Sequence, residues 1–559
     1  MALHGGGIPR KSYLLMRLPA CWLMHRATLL GQRDAVLRSR LWARPQAMVI
    51  AAAVVLAVAY LVATPRVPDL AAQVARAQVA RGGVFIFWTG WFGGVNLPSY
   101  SAIAPIVMSV IGVGVTAALS ALTATVAARW LLRGSRRPGL GLAFFAVDAF
   151  VDIYSGRVTF ALGVAFAIVA LSLLKARRGR WACAVGAVAC LASPLAGLFL
   201  GLVAISVAAA DRSRRTTSVV LAAILAVVGI VLGLLSPGTG RMPYPWWHLV
   251  LGVLTVAVVA VICPQRLIRW GCVVVGLATV GFYFVPLAVG TNIVRFDWLV
   301  AAPVVVAYAE LSRIRLVAVV AAALAWPLAD FGVQLAYAGT PAASPAFYQP
   351  LISELHTQAA TVSQAGDGER VEVVDSASQW SADYVAPSFA LARGWDRQVD
   401  RADNPLFYNG TLTATSYRHW LSGLAVGWVA LPLHTSLDYA AVDEAALIRS
   451  QPHYLRLVWQ NPNWQLYRVR AAKPLVRGAT PTAVGSAGVS FHAAAAGPVQ
   501  LQLRWSPYLT LAVDKKVIPA CIKARGPWTT VWIPHPGTFT VAAHLEIDRQ
   551  SATQTCPSH

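Results

Sequence analysis

Apolar runs about 20 residues long recur between residues 47 and 333, separated by short basic clusters; beyond them the rhythm stops. A helix of that length crosses ~30 Å of hydrocarbon. The pattern predicts a polytopic α-helical membrane domain of about eleven transmembrane helices. Spans are expected at 47–64, 110–131, 139–155, 158–174, 217–235, 247–263, 271–290, 297–311 and 316–333. The stretch 181–210 is basic at both ends and reads as a short hairpin turning at Ser193-Pro194, where proline removes a helix hydrogen bond. Arg133/Arg136/Arg137, Lys175/Arg177/Arg178/Arg180, Arg212/Arg214/Arg215, Arg266/Arg269 and Arg313/Arg315 all fall between spans. By the positive-inside rule they mark the cytoplasmic side, with the N-terminus inside and everything after residue 333 outside, at a plasma membrane.

Four regions follow. Residues 1–46 form a basic cytoplasmic arm, and 47–333 the membrane domain, with an outward loop at 65–99. Residues 334–472 alternate short strands (371–374, 426–431, 454–459, 464–469) with helical pieces, an extracytoplasmic mixed α/β region. Residues 473–559 alternate with period two between glycines and prolines and read as a β-sandwich.

Composition sharpens this. The chain is 57% hydrophobic and 12% charged, with a mean hydropathy of +0.59, outside the range of soluble globular domains. Of its net charge of +23, +21 lies in the first 343 residues (29 basic minus 8 acidic), where most basic residues fall in short clusters between spans, so it signals orientation and contact with the lipid bilayer, not nucleic acid. Arginine far outnumbers lysine, which suggests a GC-rich bacterial genome. Of seven cysteines, only Cys521 and Cys556 fall in the C-terminal region, where an oxidising compartment would allow them to pair.

The first 343 residues hold eight acidic side chains against 29 Lys and Arg. Carboxylates in or near hydrocarbon are costly, so those present are candidates for function. Asp69 opens the outward loop just outside the first span, either as a functional acid or as a helix N-cap. Asp148 and Asp152, four apart, share a helix face; Asp152 lies near the outer end beside Arg157, as an ion pair or as part of an outer cavity. Asp148 lies deeper, and suits a proton or ion relay. The run 85–94, with Trp88 and Trp91, and the following 97–100, with Tyr100, combine glycines with aromatic rings. That composition suits an interfacial belt or a ligand-guiding loop. Arg241 with His248, and Arg295 with Asp297, close the set: the arginines suit a phosphate, and an Arg295–Asp297 ion pair is the alternative.

The loop around Pro68-Asp69, the runs 90–94 and 97–100, 155–160 and 290–295, and the tail segments 457–459 and 464–469 resemble GT-C-class glycosyltransferases, in particular multi-spanning proteins of actinobacteria. The resemblance implies a membrane glycosyltransferase that moves a sugar from a polyprenyl-phosphate donor to a cell-envelope glycan acceptor. It implies Asp69 as catalytic base, Arg295 and Arg241 on the donor phosphate, and a divalent Mg or Mn ion, if used, on Asp69 and Asp152. GT-C loops often carry paired acids and this one has a single Asp69, so Asp152 or Asp297 would supply the second. The competing readings are a transporter or flippase of lipid-linked envelope precursors using Asp148 and Asp152, and a non-catalytic scaffold of the same ancestry.

Overall fold

The computed structural model describes residues 44–97, 101–236, 240–285, 287–362 and 369–544. The arm before residue 44, Tyr100 and Cys556 therefore lie outside the described residues.

Seven helices among these are long and apolar enough to cross a membrane, and the chain is a multi-pass membrane protein. In chain order the helices are α1 (Arg44–Ala63), α2 (Pro68–Arg81), α3 (Ala104–Ile111), α4 (Val113–Leu131), α5 (Pro138–Tyr154) and α6 (Val158–Lys175). Then come α7 (Gly179–Ala192), α8 (Pro194–Ala210), α9 (Arg215–Leu235), α10 (Trp246–Ile262), α11 (Arg266–Phe284), α12 (Gly290–Tyr308) and α13 (Arg313–Ala338). Four of the expected spans, α5, α7, α8 and α10, are only 17, 14, 17 and 17 residues long. The α7–α8 turn falls at Ser193-Pro194, where the Ser193 hydroxyl accepts from the Ala196 N–H.

Small side chains let these helices close up, as expected where lipid offers no hydrophobic drive for association. α4 buries Ala117, Ala118, Ser120, Ala121, Ala124 and Ala128, and a methyl at Gly163 would meet the Ala196 side chain at 2.8 Å. Large apolar residues on α10, α11 and α13, such as Val261, Leu277 and Ile314, stay exposed, as a lipid-facing surface requires. The basic clusters cap helix C-termini, whose last carbonyls lack partners. Lys175 donates to the carbonyls of Trp130, Leu131 and Arg133, and Arg137 donates to those of Ala309 and Leu311. The C-termini of α4, α6 and α12 thus meet on one side, and the α5–α6 turn lies on the other.

α12 differs from the expected span at 297–311. It begins at Gly290 as a 3-10 turn and passes through a π-turn at Asp297–Ala301. Arg295 therefore sits within a helix and not in a loop before one. Asp69 is not a cap: α2 starts at Pro68, with Val67 at the N-cap and no side-chain cap bond. Asp69 occupies the first turn, where the helix dipole favours a negative charge.

The C-terminal part begins with α14 (Pro345–Val362), which packs on a four-stranded sheet of order β3-β4-β6-β5: Arg370–Val373, Val426–Pro432, Trp464–Val469 and Leu455–Gln460. β3 and β4 are parallel and the other pairs antiparallel. The remaining strands, from Val476 to Ala543, form a four-stranded and a five-stranded sheet around Phe491, Leu501, Val531 and Phe539.

The glycine-aromatic run is not an interfacial belt. It forms a small hairpin, β1 (Phe87–Trp88) with β2 (Val95–Asn96), wedged between all three regions. Phe87 enters the sandwich core, whereas Trp88, Trp91 and Phe92 enter the main core. Trp91 is fully buried and donates from Nε1 to the Ala382 carbonyl; Gly90 accepts from the Leu391 N–H, and Gly93 from the Arg504 N–H. Arg76 on α2 adds a 2.8 Å ion pair to Asp396. Rings that would otherwise sit at headgroups are here desolvated between domains, so the loop fixes the tail onto the membrane half.

Candidate functional site

The α5–α6 turn is where the sequence candidates converge. α5 ends at Tyr154, Gly156 takes φ +81°, and Arg157 is the N-cap of α6. The turn presses against the start of α2: a Cβ at Gly156 would lie 3.0 Å from the Asp69 carbonyl carbon and closer still to the Leu70 nitrogen. Only glycine combines that φ with that approach. One helical turn further, Thr159 donates to Gln73 Oε1 and ties α6 to α2.

Arg157 lies at the centre of three carboxylates. Its NH2 is 2.6 Å from Asp330 Oδ2, its Nε 3.4 Å from Asp69 Oδ2 and its NH1 4.0 Å from Asp152 Oδ1. The arginine is 13% exposed, Asp69 and Asp330 28% each, so the cluster opens toward Asp69 and Asp330. Behind it a cavity of about 20 Å³ is lined by Asp148, Asp152, Arg157, Phe160, Arg295 and Trp298, among others. That is room for about one water, not a sugar. The Arg295 guanidinium lies 5.4 Å from the Phe160 ring centroid and interacts electrostatically with Asp152. Asp148 is buried one turn below Asp152, and neither of its carboxylate oxygens has a hydrogen-bond partner among the described residues.

The structure thus gathers Asp69, Asp152, Arg157 and Arg295, and adds Asp330, which is not among the candidates named from the sequence. The signal was available: Asp330 is an acid within the apolar helix α13, three residues after Pro327. Three expectations are corrected. Asp297 does not line this cavity, nor is it among the ionic partners of Arg157; it lies within electrostatic range of Tyr244. The π-turn that starts at Asp297 places it apart from Arg295, and no direct ion pair links the two among the described residues. Arg241 is exposed on the loop before α10, away from the cavity. His248 stacks on Trp247 at 3.6 Å and is part of an aromatic group, not of the cluster.

A divalent ion on Asp69 and Asp152 does not fit this arrangement. Arg157 already stands between the acids as their counter-cation, and no group of three or more His, Cys, Asp or Glu among the described residues has metal-holding geometry. No step below is routed through a metal.

Gly156 gives this geometry a test. Gly156→Ala must either twist the turn out of its left-handed conformation or push α2 away, and each separates Asp69 from Arg157. We expect a loss of about 1–3 kcal/mol of stability, measured by thermal unfolding in detergent. An unchanged melting temperature would show that the turn tolerates a side chain.

Fold and site define a multi-pass membrane protein with a charged cluster at one end of its helices, beneath a rigidly attached α/β and β-sandwich tail. No family model matches the chain, and no curated protein matches it. Among solved structures it is similar to the arabinofuranosyltransferase AftD from Mycobacteria, at 13% identity and a TM-score of 0.37, over 91% of this chain. The chain spans 58% of the length of that protein.

Proposed function

We propose that this chain is a membrane glycosyltransferase of GT-C type that takes a sugar from a polyprenyl-phosphate donor at the outer face of the plasma membrane. The observation that carries the reading is the meeting of Asp69, a half-exposed acid at the mouth, with Arg157 and Arg295 at the lipid-facing end of the helices. Asp69 accepts the proton of an acceptor hydroxyl while that oxygen attacks the anomeric carbon. The bond from that carbon to the phosphate oxygen breaks, and polyprenyl phosphate leaves with the electron pair. Arg295 neutralises the charge that develops on the leaving phosphate, a role suited to its planar, permanently charged fork. Arg157, 3.4 Å away through its Nε, positions Asp69. The 20 Å³ cavity must widen to admit the phosphate, and the π-turn of α12 beside Arg295 is where the helix is least regular.

Donor binding tests the phosphate role. Arg295→Ala should weaken binding of polyprenyl phosphate about 10–100-fold, read by titration in nanodiscs, because a charge-assisted contact is lost. Equal affinity in the variant would remove Arg295 from the donor site.

Two observations support an outward tail: Arg137 and Lys175 of the basic clusters cap helix C-termini at the end of the helices opposite to Asp69, and Cys521 is disulfide-bonded. Disulfides persist in oxidising compartments. In intact cells, a membrane-impermeant maleimide should label Cys521 only after external reduction, with Cys521→Ser as control. Labelling without reduction, or only after lysis, would contradict the topology.

Asp148 favours the transporter reading by one observation, its unpartnered buried carboxyl. Asp148→Asn separates the readings, since a transporter loses ion coupling whereas a surface-acting transferase keeps its chemistry.

A further inference from the structure

A second and much larger cavity, about 480 Å³, lies where α2, the β1–β2 hairpin, the α/β tail and the first sandwich turn meet. Its walls include Trp88, Trp428, Asp383, Glu369, Ser388 and Ser486. Ser388 and Ser486 are exposed at its rim. Asp383 is 3% exposed, and its Oδ1 has no hydrogen-bond partner among the described residues. A buried carboxylate oxygen without a donor is costly unless something supplies one. Glu369 is held by Arg468, which donates to both of its oxygens, so its position is fixed.

Lining chemistry narrows the occupant. Among the described residues that line the cavity two are carboxylates and none is Lys or Arg, a lining that disfavours phosphates and other anions. Among the described residues its lining comes from α2, the hairpin and the tail and not from the membrane-spanning helices. Two tryptophans offer apolar surface, and the carboxylates, hydroxyls and exposed backbone offer acceptors and donors around it. The volume lies within the ~300–1,000 Å³ of small-molecule sites. A neutral, hydroxyl-rich ligand with apolar C–H faces satisfies all of these conditions, and a saccharide has both features.

The position adds a link to the charged cluster. α2 carries Asp69 in its first turn and contributes Ala75 and Val79 to the cavity wall. At a rise of 1.5 Å per residue, Val79 stands about 15 Å along the helix from Asp69. A chain of sugars seated in the cavity is therefore within reach of the cluster.

We propose that this cavity is a binding cleft for a neutral oligosaccharide, seated on Trp88 and Trp428 with its hydroxyls donated to Asp383 and Glu369. Calling that oligosaccharide the acceptor rests on the transferase reading; the binding itself does not.

The test uses the full chain in nanodiscs, without donor, and hexasaccharides of linear α-glucan, α-mannan and α-arabinan as probes. Choline and glycerol 3-phosphate serve as cationic and anionic comparisons. Binding is read by saturation-transfer NMR and tryptophan fluorescence. At least one hexasaccharide should bind, Asp383→Asn should weaken it about tenfold or more, and Ser388→Trp, at the exposed rim, should block it. Absence of binding by all three, preference for choline or glycerol 3-phosphate, or unchanged binding in Asp383→Asn would overturn the proposal. Should Ser388→Trp fail to fold, the near-isosteric Asp383→Asn decides alone. If oligosaccharide binds while the wild-type chain transfers sugar from no polyprenyl-phosphate donor, the cleft stands and the transferase reading falls.

Discussion

Asp69→Asn should reduce sugar transfer from a polyprenyl-phosphate donor about 10²–10⁴-fold, with little change in donor affinity. The substitution keeps size and shape but removes the base. Arg157 retains its 2.6 Å contact with Asp330 and its longer one with Asp152, so the turn and the cluster stay in place. The loss should therefore fall on the rate of the chemical step and not on donor binding. Single-turnover transfer in nanodiscs measures it. A drop confined to the Michaelis constant would assign Asp69 to positioning, and an unchanged rate would remove it from the mechanism.

Arg393→Met should have the largest effect on stability. This arginine is 1% exposed and lies within 4 Å of four acids in the tail: Asp400 at 2.7 Å, Glu444 at 3.3 Å, Asp375 at 3.4 Å and Glu372 at 3.8 Å. Removing the one cation at their centre leaves buried carboxylates uncompensated, a loss of about 3–5 kcal/mol. That is a large share of the ~5–15 kcal/mol that holds a typical domain together. Its pH dependence has a definite sign. Burial raises the Asp375 carboxyl to about 7 even with Arg393 present, and burial likewise raises Glu372 and Glu444. A carboxyl whose folded pKa exceeds its unfolded one destabilises the fold as pH rises, fully so above the folded value. The deficit of the variant should accordingly be greatest near pH 8 and shrink as pH falls through 7. Thermal unfolding and limited proteolysis of the full chain at pH 6 and pH 8 check it; a deficit that grows on acidification would contradict the assignment.

Local pattern made part of this molecule legible. Apolar length located α1, α4, α5, α6, α9 and α10 to within about three residues, whereas α11 lies five to six residues before its expected span; proline chemistry located the Ser193-Pro194 turn. The scarcity of carboxylates drew attention to Asp69 and Asp152, which the structure brings to Arg157, because a charge near hydrocarbon needs a partner. What escaped were properties set by distant contacts. Asp330 fell inside the expected span 316–333 but was not among the candidates; α13 continues through Pro327 to Ala338 and brings the acid to Arg157. Trp88 and Trp91 have the same amphipathic character at a membrane surface as in a domain junction, and only the packing of Gly394 and Ala382 against Trp91 distinguishes the two. The cage around Arg393 joins residues from 372 to 444, a separation over which no local period operates.

The most direct test of the central claim is release of free polyprenyl phosphate. Purified chain in nanodiscs is incubated with polyprenyl-phosphate pentose and hexose donors, with and without acceptor oligosaccharide, and the lipid product is quantified by mass spectrometry. The account predicts acceptor-dependent release from at least one donor by the wild-type chain, and almost none by a folded Asp69→Asn variant. No release from any donor, or equal release by wild type and Asp69→Asn, would contradict it.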